Sequence, residues 1–112
     1  MEFVEFISDD KNRKLYKHNN YSILVSCPKK IANKMYEPTI SLVTKDPTLP
    51  KLYFDKRKKR ITIATSFIKN VDEMRKIMDV VSDLEKAILD NYDDITKFDE
   101  YFDATSKQYK KL

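Results

Sequence analysis

Residues 70–91, NVDEMRKIMDVVSDLEKAILDN, carry the strongest secondary-structure signal in the chain. Their apolar residues recur at spacings of three and four, which is the period of one face of an α-helix. Asn70 suits the N-cap position, and Glu73 follows three residues later, as in a capping box. Ser66 offers an alternative start one turn earlier. The stretch therefore predicts one long amphipathic helix whose apolar face needs a partner.

The apolar stripe of this helix has two candidate partners. Its members are Met74, Ile77, Val81, Leu84 and Ile88. The usual partner is a sheet of the same chain, but the heptad-like spacing also permits a helix from a second copy. We therefore predict that these residues form the dimerisation surface of a homodimer, with burial against the chain's own sheet as the alternative.

Downstream of the helix, residues 93–112, DDITKFDEYFDATSKQYKKL, show a second and shorter amphipathic pattern. The paired aspartates at its start could supply an N-cap. The apolar residues that would share one side are Ile95, Phe98, Phe102 and Tyr109. This pattern predicts a second C-terminal helix.

Upstream of the helix, short runs rich in β-branched and aromatic residues predict strands. They are EFVEFIS (2–8), KLYKHNNYSILVS (14–26), TISLVT (39–44), KLYF (51–54) and RITIAT (60–65). Within the second run, Asn19 and Asn20 suit a tight turn with positive φ. Residues 27–38, CPKKIANKMYEP, predict a short helix or a loop, because Pro28 suits a first helical position and Pro38 ends any helix there.

These elements predict an α+β fold. Residues 1–66 are mainly β and form a four- to five-stranded antiparallel sheet, and residues 67–112 are mainly α and supply two C-terminal helices packed on one face. At 112 residues the chain has room for about one core, so we expect a single domain over residues 1–112.

The charge of the chain is divided unevenly. Its net charge is +4, but residues 1–60 hold 14 Lys/Arg against 7 Asp/Glu, while residues 61–112 hold 8 against 11. A basic first half indicates an anionic partner. The alternative is that the acidic helices pair with the basic strands.

Several classes of function lack the residues they need. The chain contains no glycine, on which phosphate-binding loops depend, and it has one histidine and one cysteine. A Cys/His zinc site and an intrachain disulfide are therefore beyond a single chain. We predict no cofactor, no metal and no enzymatic activity. No run reaches the ~20 apolar residues of a membrane span, so we expect an intracellular protein with no membrane contact.

The cationic run DKRKKR, residues 55–60, lies between two predicted strands and so forms a hairpin tip. Cations interleaved with tyrosines are typical of proteins that bind single-stranded nucleic acid, because charge follows the phosphates and rings stack on bases. The alternatives are that the basic hairpin only prevents edge aggregation and that the tyrosines only cover a sheet face. The predicted phosphate-binding residues are Lys56, Arg57, Lys58, Lys59 and Arg60, assisted by Lys14 and Lys17, and the predicted stacking residues are Tyr16, Tyr21 and Tyr53.

An antiparallel sheet whose last strand, KRITIAT, leads through a short polar link into NVDEMRKIMDVVSDLEKAIL resembles the positive-cofactor-four coactivator family and the small single-stranded DNA-binding proteins of archaeal viruses. The resemblance covers roughly residues 38–90. It implies dimerisation through the helix, and it implies that curved sheets with basic hairpins hold the nucleic-acid strand. Lys56 to Arg60 match those basic hairpins in kind. The missing glycine and the extra C-terminal helix depart from that family.

The sequence therefore predicts a non-catalytic protein that binds single-stranded DNA or RNA as a homodimer. The alternative is a small viral or phage module that binds a host protein through the helix stripe or its aromatic surfaces.

Overall fold

The computed structural model describes the backbone of residues 4–6 and all of residues 12–63 and 70–112. Ten strands occur in the described chain: β1 (Val4–Phe6), β2 (Arg13–His18), β3 (Tyr21–Ser26), β4 (Lys29–Ile31), β5 (Lys34–Tyr36), β6 (Thr39–Val43), β7 (Leu52–Asp55), β8 (Arg60–Ile63), β9 (Glu100–Asp103) and β10 (Gln108–Lys111). The helices are α1 (Val71–Asp90) and α2 (Tyr92–Ile95).

The strands form two four-stranded sheets and one hairpin. The first sheet has the order β1-β2-β3-β6 and is antiparallel throughout. The second sheet has the order β10-β9-β4-β5, in which β4 and β9 are parallel and the other pairs are antiparallel. Strands β7 and β8 pair with each other, and we call them, with the turn between them, the basic hairpin.

One core joins the first sheet, the basic hairpin and α1. Alternate residues of β3, namely Tyr21, Ile23 and Val25, point into it, as do Leu52 and Phe54 of β7. The C-terminal half of α1 covers this face with three buried residues, Val81, Leu84 and Ile88. Ile61 and Ile63 of β8 pack against the same cluster.

The fold class is confirmed, because mostly antiparallel sheets precede a long helix. Asn70 caps α1 as predicted, since its side-chain oxygen accepts a hydrogen bond from the Glu73 N–H at 2.8 Å. The alternative start at Ser66 and the last two residues of the predicted strand 60–65 lie outside the described residues. The expectation of a single domain stays a prediction.

The second helix is much shorter than predicted. It is the single turn α2, and residues 100–111 form the β9–β10 hairpin. The Asp103 carboxylate accepts hydrogen bonds from the Thr105 and Ser106 N–H groups, which makes a turn where the helix was expected. Strand β9 also pairs with a distant element, because the Phe102 N–H donates to the Pro28 carbonyl.

The prediction for residues 27–38 was also wrong, since they form the β4–β5 hairpin. Its two turn residues, Ala32 and Asn33, both have positive φ, at 49° and 66°. That combination matches the right-handed twist of paired strands. The expected turn at Asn19 is confirmed by its φ of 54°.

Among the described residues, no helix is long and apolar enough to cross a membrane.

Candidate functional site

The tip of the basic hairpin is a four-residue turn, Lys56–Lys59, held by the aspartate that precedes it. One carboxylate oxygen of Asp55 accepts hydrogen bonds from the N–H groups of Arg57 at 3.0 Å and Lys58 at 3.2 Å. An aspartate that bonds to the backbone two and three residues ahead fixes a turn locally. The turn therefore presents the exposed side chains of Arg57 and Lys58 from a defined backbone.

The other two turn cations contact neighbouring elements. The Lys56 ammonium donates to the Glu37 carbonyl at 3.4 Å, and the Lys59 ammonium lies 4.7 Å from the centroid of the Tyr92 ring. Arg60 begins β8, where it pairs with Asp55. The hairpin is also tied to α1, because the Ile61 N–H donates to the Glu85 carboxylate at 3.1 Å.

The carboxylates of Glu37 and Asp93 lie near the Tyr92 ring, which the Lys59 ammonium of the turn contacts. Burial raises the pKa of Tyr92, and the negative charges of Glu37 and Asp93 raise it further. Among the described residues, Lys110 forms an ion pair with Asp103, and His18 Nε2 lies 3.3 Å from a carboxylate oxygen of Asp83; neither contact involves the turn. The cations of the turn therefore form no ion pair with the acidic residues of α1 and α2, both of which lie in the described part of the chain.

Of the three predicted stacking tyrosines, Tyr53 alone has the exposure that stacking needs. Its side chain is 59% exposed on the outer face of the hairpin, opposite Thr62. Tyr16 and Tyr21 are buried in the core, and the Tyr21 hydroxyl donates to the Pro50 carbonyl at 2.7 Å. The predicted stacking role is therefore wrong for Tyr16 and Tyr21, because neither ring can receive a base.

The two accessory lysines do not join the basic hairpin. The Lys14 ammonium donates to the carbonyls of Asp94 at 3.1 Å and Lys97 at 2.6 Å, and it lies 4.8 Å from the centroid of the Phe98 ring. Lys14 therefore connects α2 and the residues just after it to the first sheet. Lys17 is exposed on the other face of that sheet, where it shares a groove with Lys45.

The predicted dimerisation stripe is divided between core and surface. Val81, Leu84 and Ile88 are buried against the chain's own sheet. For these three residues the structure agrees with the alternative prediction, which was burial within the chain and not dimerisation. Ile77 packs partly against the same cluster. Met74 is 46% exposed and is the one member of the stripe that remains available to a partner.

The sequence interpretation missed a group of aromatic and basic residues on the second sheet. Tyr36, Lys29, Phe102 and Tyr109 are paired in register across its four strands. A signal was present in the aromatic residues of EYFD and QYKK, which favour strands, although the apolar residues of this segment also fit helical spacing. The described residues contain no group of three or more side chains placed to hold a metal ion.

Comparison with known proteins finds no matching family model, no matching curated protein and no matching solved structure. The resemblance to the positive-cofactor-four family therefore stays a prediction.

Proposed function

We propose that this protein binds single-stranded nucleic acid and that the basic hairpin is a principal contact. The observation that supports this most is the turn at Lys56–Lys59, in which Asp55 fixes the backbone while Arg57 and Lys58 project into solvent. Tyr53, exposed on the outer face of the same hairpin, offers a ring to an unpaired base. Binding of this kind follows charge and stacking, with little sequence readout.

Charge reversal at the tip tests the proposal. We expect the double variant Arg57→Glu/Lys58→Glu to bind single-stranded oligonucleotides at least about tenfold more weakly and to lower the slope of log affinity against log salt by about 2, since each lost phosphate contact removes about one unit. Fluorescence anisotropy with labelled DNA and RNA, at two or more salt concentrations, measures both quantities. Duplex oligonucleotides should bind more weakly, because paired bases cannot stack on Tyr53.

The matched control reverses two cations elsewhere. Arg75 and Lys76 are exposed on α1, so Arg75→Glu/Lys76→Glu changes the net charge of the protein by the same amount. We expect this control to keep most of the affinity. Equal losses in the two variants would mean that net charge, and not the hairpin, carries binding, and they would contradict the proposal.

A protein partner is the second candidate, and exposed apolar residues of α1 favour it. Val71, Met74 and Met78 are 65%, 46% and 45% exposed. Methionine side chains adapt to irregular apolar surfaces, and clustered exposed apolar residues mark interaction sites. A partner bound there would be released by Met74→Lys/Met78→Lys and retained by Arg57→Glu/Lys58→Glu, the reverse of the pattern expected for nucleic acid.

A further inference from the structure

A continuous row of side chains crosses one face of the second sheet. Tyr36 pairs with Lys29, Lys29 with Phe102, and Phe102 with Tyr109. Residues that are directly paired across neighbouring strands project to the same face, so the four side chains stand next to one another. We call these four residues the aromatic row.

Two rings of the row are exposed, and one of them, Tyr109, packs against Phe102. Tyr36 is 44% exposed and Tyr109 is 47% exposed, so both retain surface for a planar ligand. The centroids of Phe102 and Tyr109 are 5.1 Å apart with the rings tilted at 56°, an attractive arrangement for aromatic pairs. Phe102 thus fixes the orientation of Tyr109, which lowers the conformational entropy lost when a base stacks on it.

Cations accompany the rings on this face. Arg13, Ser26 and Lys29 line one groove together with Phe102 and Tyr109. Arg13 and Lys29 are both exposed.

Among the described residues, the ion pairs found do not involve Arg13 or Lys29. The ion pair of the second sheet, Lys110 with Asp103, involves the sequence neighbours of Tyr109 and Phe102 and therefore lies on the opposite face. Glu100 shares the face of the row and lies opposite Lys111 in the strand register.

The row adjoins the basic hairpin. The Lys56 ammonium bonds to the carbonyl of Glu37, the residue that directly follows Tyr36. The Lys34 ammonium lies 5.2 Å from the centroid of the Tyr36 ring, which adds a further cation at this end of the row. A polyanion held at the hairpin tip would thus meet the Tyr36 end of the row next.

We propose that the aromatic row is a base-stacking platform for single-stranded nucleic acid, with Tyr36 and Tyr109 receiving bases and Lys29 and Arg13 contacting phosphates. The combination of exposed rings with exposed cations is what stacking on a charged strand requires. This inference rests on the proposed function and adds a second contact region to it.

A tryptophan reporter tests stacking directly. The chain contains no tryptophan, so Tyr109→Trp introduces a single indole into the row. We expect a labelled oligothymidylate of about 12 nucleotides, within the usual range of site sizes, to quench this indole in parallel with the rise in anisotropy. The same titration with an RNA of equal length shows whether the row binds DNA or RNA more tightly.

Truncation of the rings tests their contribution to affinity. We expect Tyr36→Ala/Tyr109→Ala to weaken binding on the order of tenfold or more, with the salt slope nearly unchanged, because stacking carries no charge. Tyr36→Phe/Tyr109→Phe should restore the affinity. Tyr101→Ala, a tyrosine on the opposite face of β9, is the matched control and should bind as the unaltered protein does.

The outcomes separate the two proposals. Salt-dependent binding with no quenching of Tyr109→Trp and no loss in Tyr36→Ala/Tyr109→Ala would overturn the platform and leave the proposed function standing. Absence of any anisotropy change at low salt, with DNA and with RNA, would overturn both.

Discussion

At the residue scale, the absence of glycine determines which turns the sequence can reveal. In the part of the chain that the structure describes, the positions with positive φ are occupied by Asn19, Ala32, Asn33, Lys59 and Lys107. Asparagine tolerates this region, so the turn at Asn19 could be predicted. An alanine or lysine there costs about 1–2 kcal/mol, and no rule of sequence would place one. The β4–β5 hairpin was missed for that reason.

The different environments of the tyrosines have a similar explanation. In YSILVS the apolar residues are nearly continuous, so their periodicity alone is a weak guide to which alternate set faces the core. The structure buries Tyr21, Ile23 and Val25, and it places Ser22 and Ser26 on the other face. The two serines were the available signal, because a strand buried on one face places its polar residues on the other. The positions of Ser22 and Ser26 therefore indicate that Tyr21 faces the core.

Asp103 gives a prediction for acid pH. Its hydrogen bond to the Lys110 ammonium, the N–H groups of Thr105 and Ser106, and the positive charge of Lys110 hold the pKa of this carboxyl below its ordinary value against the opposing effect of desolvation. A carboxyl whose pKa is lower in the folded state stabilises the fold above its unfolded-state pKa, and this contribution is lost as pH falls through the folded-state pKa. The β9–β10 hairpin should therefore loosen first in acid.

The measurement is amide hydrogen exchange in residues 100–111 of the protein and of Asp103→Asn. At neutral pH we expect the variant to exchange faster, because an amide cannot pair with the Lys110 ammonium as a carboxylate does. The difference should shrink as the pH falls through the lowered pKa of Asp103. A difference that stays constant from neutral to acid pH would contradict this role of the carboxylate.

At the element scale, α1 could be predicted with its N-cap because periodicity, capping residue and length all agreed. Residues 93–112 could not, because their apolar residues fit helical spacing while the aromatic residues of EYFD and QYKK also favour strands. The pairing partner of β9 is β4, some 70 residues earlier in the chain. Local pattern carries no information about such a partner, and tertiary pairing decided the conformation.

Leu84 tests whether the stripe of α1 serves the core or a dimer. Its side chain is fully buried in the chain's own core, so we expect Leu84→Ala to lower the free energy of unfolding by about 2–5 kcal/mol. Met78→Ala, at an exposed position of the same helix, should cost much less. Chemical denaturation measures both values.

The protein concentration distinguishes the two interpretations. A core residue destabilises by the same amount at every concentration, whereas a residue of a dimer interface makes the midpoint concentration-dependent. A loss in Leu84→Ala that varies with protein concentration would restore the predicted dimerisation role.

At the scale of the whole molecule, composition and element order were sufficient for the α+β class. They were not sufficient for the division into two sheets, because that division depends on pairings between residues far apart in sequence. The basic turn could be located from sequence, since it is local. The aromatic row could not, because it is assembled from two hairpins that meet only through the parallel pairing of β4 with β9.

The molecule measures 49 × 28 × 24 Å, and the two proposed contact regions meet near Glu37. A nucleic-acid strand that occupies both regions binds more tightly than one that occupies a single region, because the second contact forms at a high effective concentration. We therefore expect affinity to rise steeply with oligothymidylate length over about 4–16 nucleotides and then to level off. Arg57→Glu/Lys58→Glu and Tyr36→Ala/Tyr109→Ala should each flatten this rise, since each removes one of the two linked contacts. Anisotropy titrations with oligothymidylates of increasing length measure this rise in affinity. An equally steep rise in either variant would mean that one nucleic-acid strand does not contact both the hairpin and the row.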